Sequence, residues 1–347
     1  MSDIHIRKEG RAGRITLNRP KALNALSYAM CLEVEKALDA WAGDDSVALV
    51  LIDAVGEKAF CAGGDIQEMY DTGTRGDYDY GRRFWRDEYR MNAKMAEFPK
   101  PVVSLMQGFT MGGGVGVGCH GSHRVVGESS RIAMPECGIG LVPDVGGSYL
   151  LARAPGRLGE YLGATGARMG PADAILAGFA DHFVPEPGWA ALTAELVETG
   201  DAGAVARHAR TAPAAILAAR QVEIDLLFNG TLADIDAALA ADGGDFAAET
   251  RKALGRNAPL SMACAIEMVR RLRGGAGIRD ALTLEYRFTY RSMEEADFLE
   301  GIRALIIDKD KTPKWRHAGP AEVTEAEVAH MLSPLGAAGL KLEEELS

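Results

Sequence analysis

The chain has 347 residues, 47% of them hydrophobic and 25% charged, with a formal net charge of −11. Such a chain can bury one large core plus an appended region, and its acidic balance disfavours nucleic acid or an anionic membrane surface as partners. The sequence has no apolar signal core and no membrane-length apolar run, its five cysteines form no CxxC pair and its seven histidines form no HExxH; secretion, membrane spanning, a disulfide framework and a metal site are therefore not expected, and a cytoplasmic setting is.

Residues 13–18 read as a strand stopped by Arg19-Pro20, and residues 27–41 carry the helical spacing of Met30, Val34, Leu38 and Trp41. The apolar run 47–52 has the length and composition of a strand buried on both faces. After the loop Phe60-Cys61-Ala62-Gly63-Gly64-Asp65 comes a short helix at 66–70, then a polar loop at 71–80 and a helix at 82–98 closed by Pro99-Lys100-Pro101. A strand at 102–106, a buried glycine-rich helix from 112 and short strands at 124–126 and 131–133 complete an alternation of strand and helix. From about residue 201 the composition turns alanine-rich and helical, with helices expected at 214–228, 232–241, 259–273, 280–293 and 298–308, and an acidic end after Leu340 that frays. The expected organisation is a core at 1–200 and a helical region at 201–347.

Chemistry concentrates in Met111-Gly112-Gly113-Gly114-Val115-Gly116, Ala133-Met134-Pro135-Glu136 and Pro143-Asp144-Val145-Gly146-Gly147. Glycines that open a helix after a strand expose main-chain amides to an anion, or serve only close packing; a second pair at Gly63-Gly64 favours an oxyanion hole with one donor from each loop. Glu136 and Asp144 sit in short loops among apolar residues, where desolvation raises a carboxyl's affinity for its proton and suits a pair to acid and base work. Asp144 is equally placed to cap the helix through Tyr149 and Leu150. A literal G-x-G-x-x-G at 116–121 falls inside a helix rather than in the turn after a strand, which argues against a dinucleotide. No Gly-x-Ser-x-Gly elbow occurs, His120 and His123 read as structural groups, and Cys61 and Cys119 as small core residues.

These motifs resemble the crotonase (enoyl-CoA hydratase/isomerase) superfamily, and within it the 3-hydroxyisobutyryl-CoA hydrolase branch, over nearly the whole chain. The segment from Leu17-Asn18-Arg19-Pro20 to Leu26 and the 61–66 loop carry the superfamily marks. Met134-Pro135-Glu136, residues 139–147, Asp87-Glu88-Tyr89-Arg90-Met91-Asn92, Leu284-Glu285-Tyr286-Arg287 and residues 297–315 are similar to the branch. Where a hydratase of this superfamily places a second glutamate, two residues after the glycine triplet, this chain has Gly116. The resemblance implies an α/β fold, a crotonase-like ββα spiral core with an α-helical C-terminal region. It implies Gly64 and Gly113 as oxyanion donors, Glu136 and Asp144 as catalytic carboxylates, Glu88 as a substrate contact, and Lys21, Ala22, Leu23, Ala62, Asp65 and Ile66 as acyl-CoA contacts. The activity implied is hydrolysis of a short 3-hydroxyacyl-CoA, as in valine catabolism, with no cofactor, because CoA is part of the substrate, and no metal. Hydration or isomerisation through Glu136 alone and noncatalytic acyl-CoA binding are the alternatives. Lys309, Lys311 and Lys314 read as phosphate contacts or as a solvated cluster, and assembly into a homo-oligomer stays open.

Overall fold

Strands and helices follow the apolar periodicity closely in the computed structural model, which describes residues 2–343; the acidic end from residue 344 lies outside the described residues. The strands are β1 (Ile4–Glu9), β2 (Ala12–Leu17), β3 (Leu49–Ala54), β4 (Ala59–Cys61), β5 (Val102–Met106), β6 (Phe109–Met111), β7 (His123–Val126), β8 (Arg131–Ala133) and β9 (His182–Phe183). The first helices are α1 (Tyr28–Ala42), α2 (Gln67–Gly73), α3 (Asp79–Ala96), α4 (Gly113–Gly118), α5 (Gly147–Arg153) and α6 (Leu158–Thr165). Two compact units form. The first takes the described residues up to Asp65, then Asp87–Ala133 and Arg168–Ala218; the second takes Ile66–Arg86, Met134–Ala167 and the described residues from Ala219 onward.

The first unit contains both sheets. One has the order β1-β2-β3-β5-β7-β9 and the other β4-β6-β8. Apart from the antiparallel β1–β2 pair every named pairing is parallel, which is why β3 and β5 read as unbroken apolar runs. On one face of the larger sheet Ala12, Leu49, Leu51, Val103, Leu105 and Val125 pack with Leu192 and Leu196 of the helix Trp189–Thr199. On the opposite face the Trp41 ring of α1 lies against Gly13, where a Cβ would come within 2.5 Å of it. Ser27 starts α1 by accepting from Met30 N at 3.3 Å.

Strand β1 does not stand out in the sequence because only Ile4 and Ile6 are apolar in Ile-His-Ile-Arg-Lys-Glu, the polar pattern of a sheet edge. The loop expected over 71–80 shrinks, since α2 runs to Gly73 and α3 begins at Asp79. Gly73, inside the expected loop, and Gly81, just after it, sit in helices where an added Cβ would meet Leu299 and Met293 at Gly73 and Met293 at Gly81.

The second unit is built of helices. The helix Pro259–Leu272 packs on α5 and α6 and buries Leu260, Met262, Ile266, Met268 and Val269. The helix Ile278–Glu295 follows, and Phe298–Ile302 passes into a π-helical turn at Arg303–Ile307. The helix Asp245–Leu254 was not anticipated.

Candidate active site

In the first unit the 61–65 loop is fixed by the turn before α1. Ala62 N donates to Leu23 O at 3.0 Å, Leu26 N to Gly63 O at 2.9 Å and Asp65 N to Leu26 O at 2.8 Å, so the ladder passes over the N–H of Gly64. Gly63 has φ of +128°, a conformation that only glycine adopts without strain. Gly113 is the first residue of α4, and the amides of a first turn have no acceptor within their own helix. A Cβ built on Gly113 would lie 3.1 Å from Gly64 N and 3.1 Å from Glu88 Oε1. Three expected site residues, Gly64, Gly113 and Glu88, are therefore neighbours. Gly114 instead serves packing, since a Cβ there would meet Cys61 O at 2.2 Å and its absence keeps α4 close to β4.

Glu88 is 4% exposed on α3. Its helix is tied to α1 by Arg90, which donates to Glu35 at 2.6 and 2.7 Å and to Asp87 at 2.9 Å, while Tyr28 donates its hydroxyl to Asp87. Paired charges of this kind lock a helix face, and here they set the direction of Glu88. Burial pushes the Cys61 and Cys119 thiols up to about 12, which keeps both protonated.

Lys21 and Ala22 lie on the 3₁₀ turn Pro20–Ala22, followed by Leu23 and Asn24 at φ of +51° and +56°. Asn24 holds that turn, accepting from Arg19 N and donating to Val55 O and Ala59 O. Lys21 and Leu23 line an open groove of about 600 Å³ with Pro20, Asn24 and residues 55–59; Ala22 is not in its lining. Asp65 accepts from Arg19 at 2.9 Å and so braces the 62–65 loop. Ile66 precedes α2 in the second unit.

The second unit holds the paired carboxylates. Glu136 opens the 3₁₀ turn Glu136–Ile139, and both Glu136 and Asp144 are 5% exposed. Burial, and then the charges of Asp144 and Glu285, hold the Glu136 carboxyl well above the usual carboxylate range. Its Oε2 accepts no hydrogen bond among the described residues. The capping alternative for Asp144 is not the arrangement found. Helix α5 begins at Gly147 with Gly146 as its boundary residue, and it is the main-chain carbonyl of Asp144 that accepts from Gly147 N, at 2.7 Å.

The boundary donors of α5 are taken by a residue that carried no role in the sequence reading. Glu285, fully buried, accepts from Gly146 N at 2.9 Å, from Ser148 N at 3.1 Å and from the Ser148 hydroxyl. Burial pushes its carboxyl up to about 8. The available signal was its place on the stripe of Ala281, Leu282 and Phe288 along its helix, an apolar face where a carboxylate is unexpected. Gly116 lies buried inside α4, and the 116–121 motif occupies that helix and the turn after it. Lys309, Lys311 and Lys314 are exposed in the second unit.

The folds and motifs of both units define one class: the chain belongs to the enoyl-CoA hydratase/isomerase (crotonase) family, which matches residues 12–332. Its relatives place it more narrowly. The 3-hydroxyisobutyryl-CoA hydrolase of Gallus gallus, named as mitochondrial, is 38% identical over 98% of this chain and 91% of its own length. Among solved structures, an enoyl-CoA hydratase from Rhodobacter sphaeroides is 60% identical with a TM-score of 0.95, covering 98% of this chain and all of that one. A carnitinyl-CoA dehydratase from Mycobacterium thermoresistibile is 44% identical with a TM-score of 0.94, covering 99% of this chain and all of that one. These matches establish the crotonase fold. The expected cytoplasmic setting is overturned by the mitochondrial relatives; five buried, unbonded thiols do not separate the cytoplasm from another reducing compartment.

Proposed function

We propose that this protein hydrolyses 3-hydroxyisobutyryl-CoA, or a similar short 3-hydroxyacyl-CoA thioester, to the free acid and CoA. The observation that carries the proposal is the carboxylate pair. The position of a hydratase's second acid is Gly116 inside α4, whereas Glu136 has Asp144 as its electrostatic partner. Relatives named as 3-hydroxyisobutyryl-CoA hydrolases support the same reading.

Each unit's part follows from its own geometry. The amides of Gly64 and Gly113 receive the thioester oxygen as it gains negative charge, each donor being worth roughly 3 kcal/mol in the transition state. Glu88, beside Gly113, accepts a hydrogen bond from the 3-hydroxyl and selects for it. Two buried, coupled carboxyls favour a state with one proton between them. The ionised member serves as nucleophile or as base toward water, and the proton is available to the departing thiolate. If the shared proton rests on Asp144 and the ionised Glu136 attacks the carbonyl carbon, the C–S bond breaks, the thiolate of CoA takes the proton from Asp144 and leaves as thiol, and water then opens the anhydride to the free acid. If Glu136 acts as base, water attacks directly and Asp144 orients it. Lys21 and Leu23 provide the groove for the CoA part, which is substrate rather than cofactor.

Hydration by Glu136 alone is the second reading, favoured by the name of the 60% identical structure. Thiol release from (S)-3-hydroxyisobutyryl-CoA, followed beside hydration of crotonyl-CoA by the same preparation, separates the two. Thiol release without hydration is expected; hydration without thiol release would refute the hydrolase reading, and silence in both would leave acyl-CoA binding.

A further inference from the structure

We infer that Glu285 is a positioning residue that holds the Asp144 turn in its working shape, an inference that rests on the hydrolase reading for its kinetic part only. The turn starts at Asp144, whose carbonyl accepts from Gly147 N. Its two central residues, Val145 and Gly146, have φ of +53° and +79°. This is the pattern of a type I′ turn, in which both central residues are left-handed. Glycine accepts that conformation readily, but a β-branched valine does not. The turn is therefore locally disfavoured by its own sequence and needs an external hold.

Glu285 supplies it from the helix Ile278–Glu295. One carboxylate oxygen accepts from Gly146 N, the second central residue of the turn, and the other from the amide and hydroxyl of Ser148. Three hydrogen bonds to one buried side chain fix the main chain directly after Asp144, and with it the direction in which Asp144 leaves the turn. An apolar residue of similar size would fill the same space without orienting those amides. The carboxyl group is thus explained by the geometry it imposes, since each of its oxygens, protonated or not, can accept a main-chain N–H, and Glu285 acts on the reaction through Asp144 rather than on the substrate.

The test compares wild type, Glu285→Gln and Ser148→Ala in the full chain. Glutamine keeps the volume but presents one NH₂ where an acceptor is required. We expect it to lower kcat for thioester hydrolysis by roughly tenfold to a hundredfold, the scale of a misplaced catalytic group, with KM within about twofold. Hydrogen exchange of selectively labelled Gly146 and Ser148 amides should speed up in this variant while amides elsewhere keep their protection. Ser148→Ala, which removes only the hydroxyl contact, should show the same local change with about a threefold loss of kcat, on the scale of one modest hydrogen bond. Unchanged kcat in a folded Glu285→Gln protein would overturn the inference. So would a loss of kcat accompanied by faster exchange throughout, the mark of a purely structural role. If Glu285→Gln fails to fold, Ser148→Ala decides, and wild-type kcat with wild-type local exchange refutes the proposal. If the wild type releases no thiol, the hydrolase reading falls, and the local exchange of Gly146 and Ser148 alone confirms or refutes the hold on the turn.

Discussion

Replacing Gly113 with alanine should separate activity from stability. The residue is helical, so alanine gains roughly 1 kcal/mol over glycine in propensity. Against this, the new methyl would sit 3.1 Å from Gly64 N and from Glu88 Oε1, tight contacts that a few tenths of an ångström of movement relieve at a cost of about the same size. Net stability should stay within about 1 kcal/mol of wild type. Catalysis should not survive as well, because the methyl takes the space in front of the Gly64 amide, which an oxyanion must approach to about 2.9 Å. Loss of one donor at roughly 3 kcal/mol predicts a fall in kcat of about a hundredfold to a thousandfold. Thiol release and thermal melting on the same preparation give the two numbers. A variant that melts like wild type and turns over within fivefold of it would show that the Gly64 and Gly113 amides do not form the oxyanion hole.

Asp144→Asn should lower kcat by at least about a hundredfold and leave the melting temperature nearly unchanged, because the boundary amides of α5 are held by Glu285 rather than by this side chain; near-normal turnover would remove Asp144 from the mechanism. Glu88→Gln weakens a charge-assisted hydrogen bond to a neutral one, so the preference for 3-hydroxyacyl over unsubstituted acyl thioesters, measured as a ratio of kcat/KM, should fall about tenfold; an unchanged ratio defeats the assigned contact. Glu285 binds its proton up to about pH 8 when folded, against 4.5 for an ordinary glutamate, so its contribution is fully present below pH 4.5 and is lost as pH rises through about 8. Glu285→Gln should therefore flatten the decline of melting temperature over that interval, and an unaltered slope would contradict the assignment.

What the sequence revealed of this molecule depended on whether the relevant force acts locally. The run Leu49-Val50-Leu51-Ile52 announced a strand covered on both faces because every residue in it is buried. The Gly63 loop was legible for a similar reason, since Gly63 answers to its own backbone conformation, a φ of +128°. The role of Asp144 was not legible. Whether it caps α5 depends on where that helix begins, and the boundary at Gly146 is held by a carboxylate from Glu285, far along the chain. The end of α2 at Gly73 and the start of α3 before Gly81 lay beyond the expected helix bounds for the same kind of reason, because the side chains that a Cβ there would meet, Leu299 and Met293, are more than two hundred positions away.

The buried acids fall into two sorts, and the difference bears on which of them do chemistry. Glu35 and Asp87 meet Arg90 at hydrogen-bond distance, so their charge is matched and their effect is to fix α3 against α1. Glu136 and Glu285 instead hold their protons more tightly than ordinary carboxyls, through burial first and then the charge of Asp144 among the causes, and the causes acting on Glu136 include no cation. Burying an acid without a matching cation opposes folding, and an apolar side chain would be the stable choice at Glu136 and Glu285. Glu285 recovers part of that cost through its three donors. Glu136 has a main-chain hydrogen bond but also an oxygen that accepts none among the described residues, so less of its cost is recovered. A carboxyl kept at such a position is explained by a reaction in which it gains or gives up a proton, or forms a bond to carbon.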